Sequence, residues 1–167
     1  MSSQSVFEKR ITYFKNNCDI ENLHVYFNIP HAKISFKFIN SHDINTLSIT
    51  YDVYENQDII KYISSNNMGN CLPSDLTNEI IKYLHNHNYI YIQINLDFRE
   101  NYPFHYPVWS LTDFKTNLNI TFNECDKIVQ SHNLEYVIYW SPSLQLEMDI
   151  LSLYIKFEPL YSQLFII

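Results

Sequence analysis

The clearest signal along the chain is a strict alternation from Tyr89 to Phe98. Ile90, Ile92, Ile94, Leu96 and Phe98 fall on one side, and Tyr89, Tyr91, Gln93, Asn95 and Asp97 on the other. A period of two puts the apolar set on one face of a strand and a polar set on the opposite face. The same rhythm runs through Ile34, Phe36 and Phe38, and again through Leu47, Ile49, Tyr51 and Val53, with SHDIN between them as a turn. Strands with one wet face and short connections predict an antiparallel meander. VWSLTDF, residues 108–114, predicts a fourth strand.

Elsewhere the period lengthens towards that of a helix. Residues 2–17 predict an amphipathic helix, capped by Ser3 or Ser5, with Val6, Phe7, Ile11 and Phe14 on one side and Glu8, Lys9, Arg10 and Lys15 mostly on the other. Residues 55–88 break the strand rhythm. They predict a short helix ending near Asn66 and a second one capped by Ser74, with Leu76, Ile80, Tyr83 and Leu84 as its stripe. This is a helical insertion between strands 2 and 3. Residues 123–132 are expected to be helical, and LEYVIYW, 134–140, to be extended. A last helix is predicted over residues 141–160, capped by Ser141 or Ser143, with Pro142 in its first turn, a buried stripe of Leu144, Met148, Leu151 and Ile155, and Pro159 as its stop. The apolar residues 160–167 read as a tail docked on the core. The order gives an α+β class and a single domain over 1–167: an N-terminal helix, a four-stranded antiparallel meander, and helices packed on one face.

Composition supports a packed, strand-rich domain. Fourteen Tyr and eleven Phe stand against one Gly, so Asn, Asp and Ser must take most tight-turn positions. A net charge of −7 repels phosphate backbones and argues against broad nucleic-acid binding. Lys9, Arg10 and Lys15 form a small basic cluster, which is ordinarily a solvated helix face. Cys18, Cys71 and Cys125 are odd in number and widely spaced, which excludes a zinc ribbon and fits a reducing compartment such as the cytoplasm. His85 and His87 have no third ligand beside them, so no metal site is expected, and no cofactor is implied. Met1–Arg10 is polar and charged, so no leader is expected there, and no apolar run is long enough to span a bilayer.

Two motifs carry a family resemblance. INLDFRENYPFHYPVW resembles the segment of ubiquitin-conjugating enzymes in which a third strand ends, a Tyr-Pro-Phe turn follows, and a fourth strand begins; Tyr102, Pro103, Phe104 and Pro107 carry the match. WSPSLQLEMDILSL resembles the Trp-Ser-Pro opening of a later helix in the same family, through Trp140, Ser141, Pro142 and Leu144. The related RWD domains share the Tyr-Pro turn, while the Trp-Ser-Pro match points to the conjugating enzymes. In physical terms, the two prolines fix φ and remove two N–H donors, so the strand cannot run on. Tyr102 and Phe104 are then expected to pack beneath the turn, and Phe104 and Trp140 are read as core.

The chemistry of the family is not matched. A conjugating enzyme needs a thiolate nucleophile and an amide to stabilise the oxyanion. There is no His-Pro-Asn motif, and no proline lies between Leu111 and Trp140. Cys125 is the cysteine in the corresponding interval, 22 residues after Pro103 and 15 before Trp140. Glu124 and Asp126 beside it would raise its pKa. Asn119 and Asn123 are nearby amides that no spacing singles out. The resemblance therefore implies a catalytically inactive conjugating-enzyme variant, a module binding ubiquitin, a ubiquitin-like protein or a conjugating enzyme. By position, the residues implied in partner contact are Lys9, Arg10, Phe104, His105, Tyr106, Ser141 and Pro142. Two alternatives stand beside it. One is an atypical conjugating enzyme using Cys125. The other is a structural or assembly protein, such as a viral one in its host's cytoplasm, with homo-oligomers built on the insertion or the apolar C-terminus.

Overall fold

The computed structural model describes residues 9–10, 12–14, 32–40, 45–55, 87–99 and 101–165. The Ser74-capped helix, the helix ending near Asn66, the SHDIN turn before Asn45, and Cys18, Cys71 and His85 lie outside them. Residues 9–10 and 12–14 are helical, with Phe14 buried and Lys9 and Tyr13 exposed. Four strands follow: β1 (Ala32–Asn40), β2 (Asn45–Tyr54), β3 (Tyr89–Phe98) and β4 (Val108–Thr116). They pair antiparallel in sequence order. Then come α1 (Phe122–Tyr139), α2 (Leu146–Lys156), the single turn α3 (Glu158–Tyr161) and a 3-10 turn at Ser162–Phe165. The class is α+β, as the alternating patterns predict.

Register explains the core. Leu47 faces Leu96, Ile49 faces Ile94, Tyr51 faces Ile92 and Val53 faces Ile90, so the inward residues of β2 and β3 meet directly. All eight are buried. On β4, Trp109 faces Leu96 and Leu111 faces Ile94, but Phe114 faces Ile92. The ladder shifts between Gln93 and Ile94, where Thr112 is the extra residue on β4. One added residue flips the parity of everything after it. The bulge thus keeps Phe114 on the same side as Trp109 and Leu111.

The helices lie against this apolar side. The Tyr51 hydroxyl donates to the Ile150 carbonyl at 3.1 Å, and its ring stacks on Tyr154 with centroids 5.5 Å apart, which seats α2 over β2. Trp109 meets the edge of His132 at 5.2 Å and stacks on Tyr136 at 6.5 Å, which seats α1 over β4. Asn133 brackets Trp109: its Oδ1 accepts from the Trp109 N–H at 2.9 Å, and its Nδ2 donates to the Trp109 carbonyl at 2.7 Å. Leu160, Tyr161 and Leu164 are buried, so the described part of the C-terminal segment docks on the core.

Three sequence expectations are corrected. LEYVIYW is not extended; Leu134–Tyr139 form the end of an unbroken α1, with Trp140 at its C-cap. The final helix begins at Leu146, not Ser141, with Gln145 at its N-cap and no side-chain cap from Ser141 or Ser143. Those serines belong to a turn, in which the Leu144 N–H donates to the Ser141 carbonyl at 3.0 Å. Met148 and Ile155 are consequently exposed, and the buried face of α2 is Leu146, Asp149, Ile150, Leu153 and Tyr154, joined by Leu151.

Thr121 begins α1 with a reciprocal cap. The Glu124 N–H donates to Thr121 Oγ1 at 3.3 Å, and the Thr121 N–H donates to Glu124 Oε2 at 2.7 Å. Thr121→Ala is expected to lower the unfolding free energy by about 1 kcal/mol. Urea unfolding checks this, and an unchanged midpoint would show that the cap contributes nothing.

The β2–β3 ladder extends one step past Tyr54 and Tyr89. The Glu55 N–H donates to the Asn88 carbonyl at 3.0 Å, and the Asn88 N–H donates to Glu55 Oε2 at 3.1 Å. Two residues 33 apart in the chain thus meet at the end of the sheet.

Candidate functional site

The proline stretch forms a rigid turn built from both ends. After β3, Asn101 takes a left-handed backbone (φ 67°), which Asn tolerates better than most residues. The Phe104 and His105 N–H groups both donate to the Asn101 carbonyl, at 2.7 and 3.2 Å. The Tyr102–Pro103 peptide is cis. Pro103 and Pro107 are buried, so the turn rests on the body of the protein at two fixed points.

Tyr102 is the inner post of the turn. Its ring meets Phe98 edge-on at 4.8 Å and lies 6.1 Å from Trp140. Trp140, half-buried just past the end of α1, donates its indole N–H to the Pro103 carbonyl at 2.9 Å. The end of α1 is thereby tied to the turn. Arg10 completes the group: its guanidinium sits 5.5 Å from the Tyr102 ring centre, and Nη1 donates to the Tyr102 hydroxyl at 3.3 Å and to the Leu144 carbonyl at 3.4 Å. Burial raises the Tyr102 pKa, while the Arg10 hydrogen bond and charge act against that rise.

Phe104 is corrected from core to surface. It is 65% exposed at the tip of the turn, with His105 exposed beside it. Tyr106 is half-buried under the Arg99 guanidinium, 5.6 Å from its ring centre. Sequence reading put both aromatics of the Tyr-Pro-Phe run under the turn; in the structure Tyr102 packs inward on Phe98 and Trp140, and Phe104 points outward.

Between the first helical segment, Tyr102 and the start of α2 lies an open cleft of about 350 Å³, whose lining includes Lys9, Arg10, Tyr13, Tyr102, Leu144 and Glu147. The structure therefore gathers Arg10, Tyr102, Pro103 and Trp140 by direct contact and puts Lys9 beside Arg10 on the cleft. Ser141 and Pro142 stand in the turn between α1 and α2, with Pro142 exposed and the Ser141 and Ser143 hydroxyls 2.8 Å apart.

Cys125 belongs to a different part of the molecule. It lies on the inner side of α1, 0% exposed, and burial, with a lesser contribution from Asp126, pushes its thiol up to about 12. Sequence reading assigned that effect to Glu124 and Asp126 alone. Glu124 is instead turned back onto Thr121, which holds its carboxyl below the ordinary value. Asn119 and Asn123 are exposed, away from the buried face on which the thiol sits.

Two buried titratable groups escaped sequence reading. Asp149 is 4% exposed on the inner face of α2. Burial raises its carboxyl to about 7, against lowering by the Tyr136 hydroxyl and Arg10, with Glu147 adding to the rise. His132 is buried between Trp109 and Tyr136, and burial, then the Lys156 charge, lowers its pKa to about 4. The signal for Asp149 was its position three residues after Leu146, visible once α2 is phased correctly. Among the described residues, no group of His, Cys, Asp and Glu is placed to hold a metal ion, and no helix is long and apolar enough to cross a membrane.

Compared with known proteins, the chain matches no protein-family model, no curated protein and no solved structure.

Proposed function

We propose that the chain is a non-catalytic protein-interaction module with a ubiquitin-conjugating-like arrangement, and that the face formed by Phe104, His105, Arg10 and the 141–144 turn engages ubiquitin, a ubiquitin-like protein or a conjugating enzyme. The observation that carries the reading is the exposure of Phe104 on a turn held rigid from below. A large aromatic at 65% exposure, on a backbone fixed by two buried prolines and the Trp140 and Tyr102 contacts, gives apolar contact with little ordering cost. The order of meander, proline turn, fourth strand and helix supports the arrangement.

A conjugating enzyme using Cys125 is the weaker reading. A thiol must be deprotonated and reachable to attack. Cys125 is neither, since it is enclosed in the core with its pKa near 12. Five residues, 117–121, join β4 to α1, and Cys125, the cysteine in the interval the resemblance points to, lies in the first turn of that helix. This supports the non-catalytic branch, RWD domains among them.

The test is an NMR titration of the labelled chain with ubiquitin, a ubiquitin-like protein and a conjugating enzyme in turn. One of the three is expected to shift resonances around Phe104 and Arg10, and Phe104→Ala is expected to weaken that binding about tenfold. The absence of shifts with all three, or shifts confined elsewhere, overturns the reading.

A further inference from the structure

The cleft between the first helical segment, Tyr102 and the start of α2 combines apolar walls with two cations. Phe14 and Leu146, both buried, and half-buried Leu144 supply the walls, and Lys9 and Arg10 stand on the lining with Glu147. A chain of net charge −7 has acids to spare, yet neither cation is paired with one among the described residues. The ion pairs formed there, Lys115–Asp113 and Lys156–Glu135, lie elsewhere. Arg10 is held instead by neutral groups. Its Nη1 donates to the Tyr102 hydroxyl and the Leu144 carbonyl, and its guanidinium lies over the Tyr102 ring. These contacts fix the guanidinium without cancelling its charge. A guanidinium presents its N–H donors in a rigid fork, and the Nε and Nη2 groups of Arg10 bond to no described residue.

We infer that this cleft binds a carboxylate carried on an apolar residue, the chemistry shared by the C-terminal end of a peptide and a free acylated amino acid, with Arg10 taking the carboxylate. Three observations select that chemistry. First, Arg10 is preorganised. A fork already ordered loses little freedom when two of its N–H groups close on a carboxylate. Second, the lining carries Lys9 and Arg10 against Glu147, which leaves one positive charge to be matched. A carboxylate brings a single negative charge. A phosphate ester brings nearly two at neutral pH, and the second would stand against Glu147. Third, the walls call for an apolar group close to the anion. An Asp or Glu inside a chain carries its carboxylate alone at the end of a side chain. A C-terminal Leu, Ile or Phe carries its carboxylate and an apolar side chain on the same Cα. The volume of about 350 Å³ lies at the small end of ligand pockets, which suits a chain end or a small molecule.

The inference shares Arg10 with the proposed interaction face but does not rest on that reading, since Phe104 takes no part in it. The test is an NMR titration of the labelled full chain with acetyl-Gly-Ser-Gly-Ser-Leu bearing a free C-terminus, the same peptide as its C-terminal amide, N-acetyl-leucine, and inorganic phosphate. The free-acid peptide is expected to shift the resonances of Lys9, Arg10, Leu144 and Glu147 with a Kd of about 1 mM or tighter, and the amide to bind at least about tenfold more weakly. Equal affinity for the peptide and N-acetyl-leucine assigns the site to small carboxylates, and a tighter peptide assigns it to a chain end. Arg10→Lys keeps the charge but loses the fork, and should weaken binding about tenfold. Because Arg10 also holds Tyr102 and Leu144, Lys9→Ala is the second variant. Its side chain is exposed, and its loss should weaken binding about two- to fivefold while the rest of the spectrum stays unchanged. Phe104→Ala should bind the peptide like wild type. Equal binding of acid and amide, stronger binding of phosphate than of the peptide, or no saturable shift by about 10 mM peptide overturns the inference.

Discussion

Asp149→Asn is expected to stabilise the fold at pH 8 by as much as about 4 kcal/mol, the free-energy equivalent of its pKa rise. The folded carboxyl titrates at about 7 against an ordinary 3.8, chiefly because it is buried. A raised pKa gives stability that is fully present below the unfolded value and is lost as pH rises through the folded one. Asp149 therefore costs the wild-type protein progressively more from about pH 4 to pH 7. His132 acts in the opposite sense. Its folded pKa of about 4 lies below the ordinary 6.5, so its contribution is present above pH 6.5 and fades as pH falls towards 4. The two slopes oppose each other across most of that window, and the wild-type stability curve should be nearly flat there. Asparagine at 149 removes one slope and exposes the other: the variant's stability should climb from pH 4 to 6.5 and then level off. Urea midpoints taken at half-unit intervals read this directly. Parallel curves for variant and wild type would show that Asp149 ionises freely in the fold.

Trp109→Ala carries the largest expected loss, about 3–5 kcal/mol, as for other large aromatics truncated in a core. Trp109 is 1% exposed and stands between the sheet and α1. Its ring fills the space beneath His132 and Tyr136, and its main chain is held at both ends by Asn133. Truncation opens a cavity that the Asn133 clamp prevents α1 from collapsing into. The measurement is the urea midpoint at an unchanged slope. A loss below about 1 kcal/mol would mean that α1 can close the gap and is not pinned by Asn133.

How much of this was legible in the sequence depends on whether each element buries one face or two. β2 and β3 bury one face, and Leu47, Ile49, Tyr51 and Val53, with Ile90 through Phe98, were read residue for residue. The second half of α1 carries apolar residues on both sides, which erases the helical period and leaves a run resembling a strand. The turn at Ser141–Leu144 carries helix-start residues without starting a helix, so the phase of α2 was misread and the buried Asp149 was not singled out. At the candidate site, proline chemistry was enough to locate the turn. The directions of Tyr102 and Phe104 were not legible, because two neighbouring aromatics carry the same apolar signal whichever of them is buried.

The clasp between Glu55 and Asn88 has an evolutionary consequence. Closing a loop costs more as it grows, but only logarithmically, by about 0.6 kcal/mol for each doubling of length. With the two ends bonded across the tip of β2 and β3, loop closure by itself sets little limit on how many residues lie between them. Insertions and deletions there meet little selective resistance from folding, so homologous chains should vary in length at this position first. A guest domain grafted between Glu55 and Asn88 would likewise enter at two positions that the sheet already holds together.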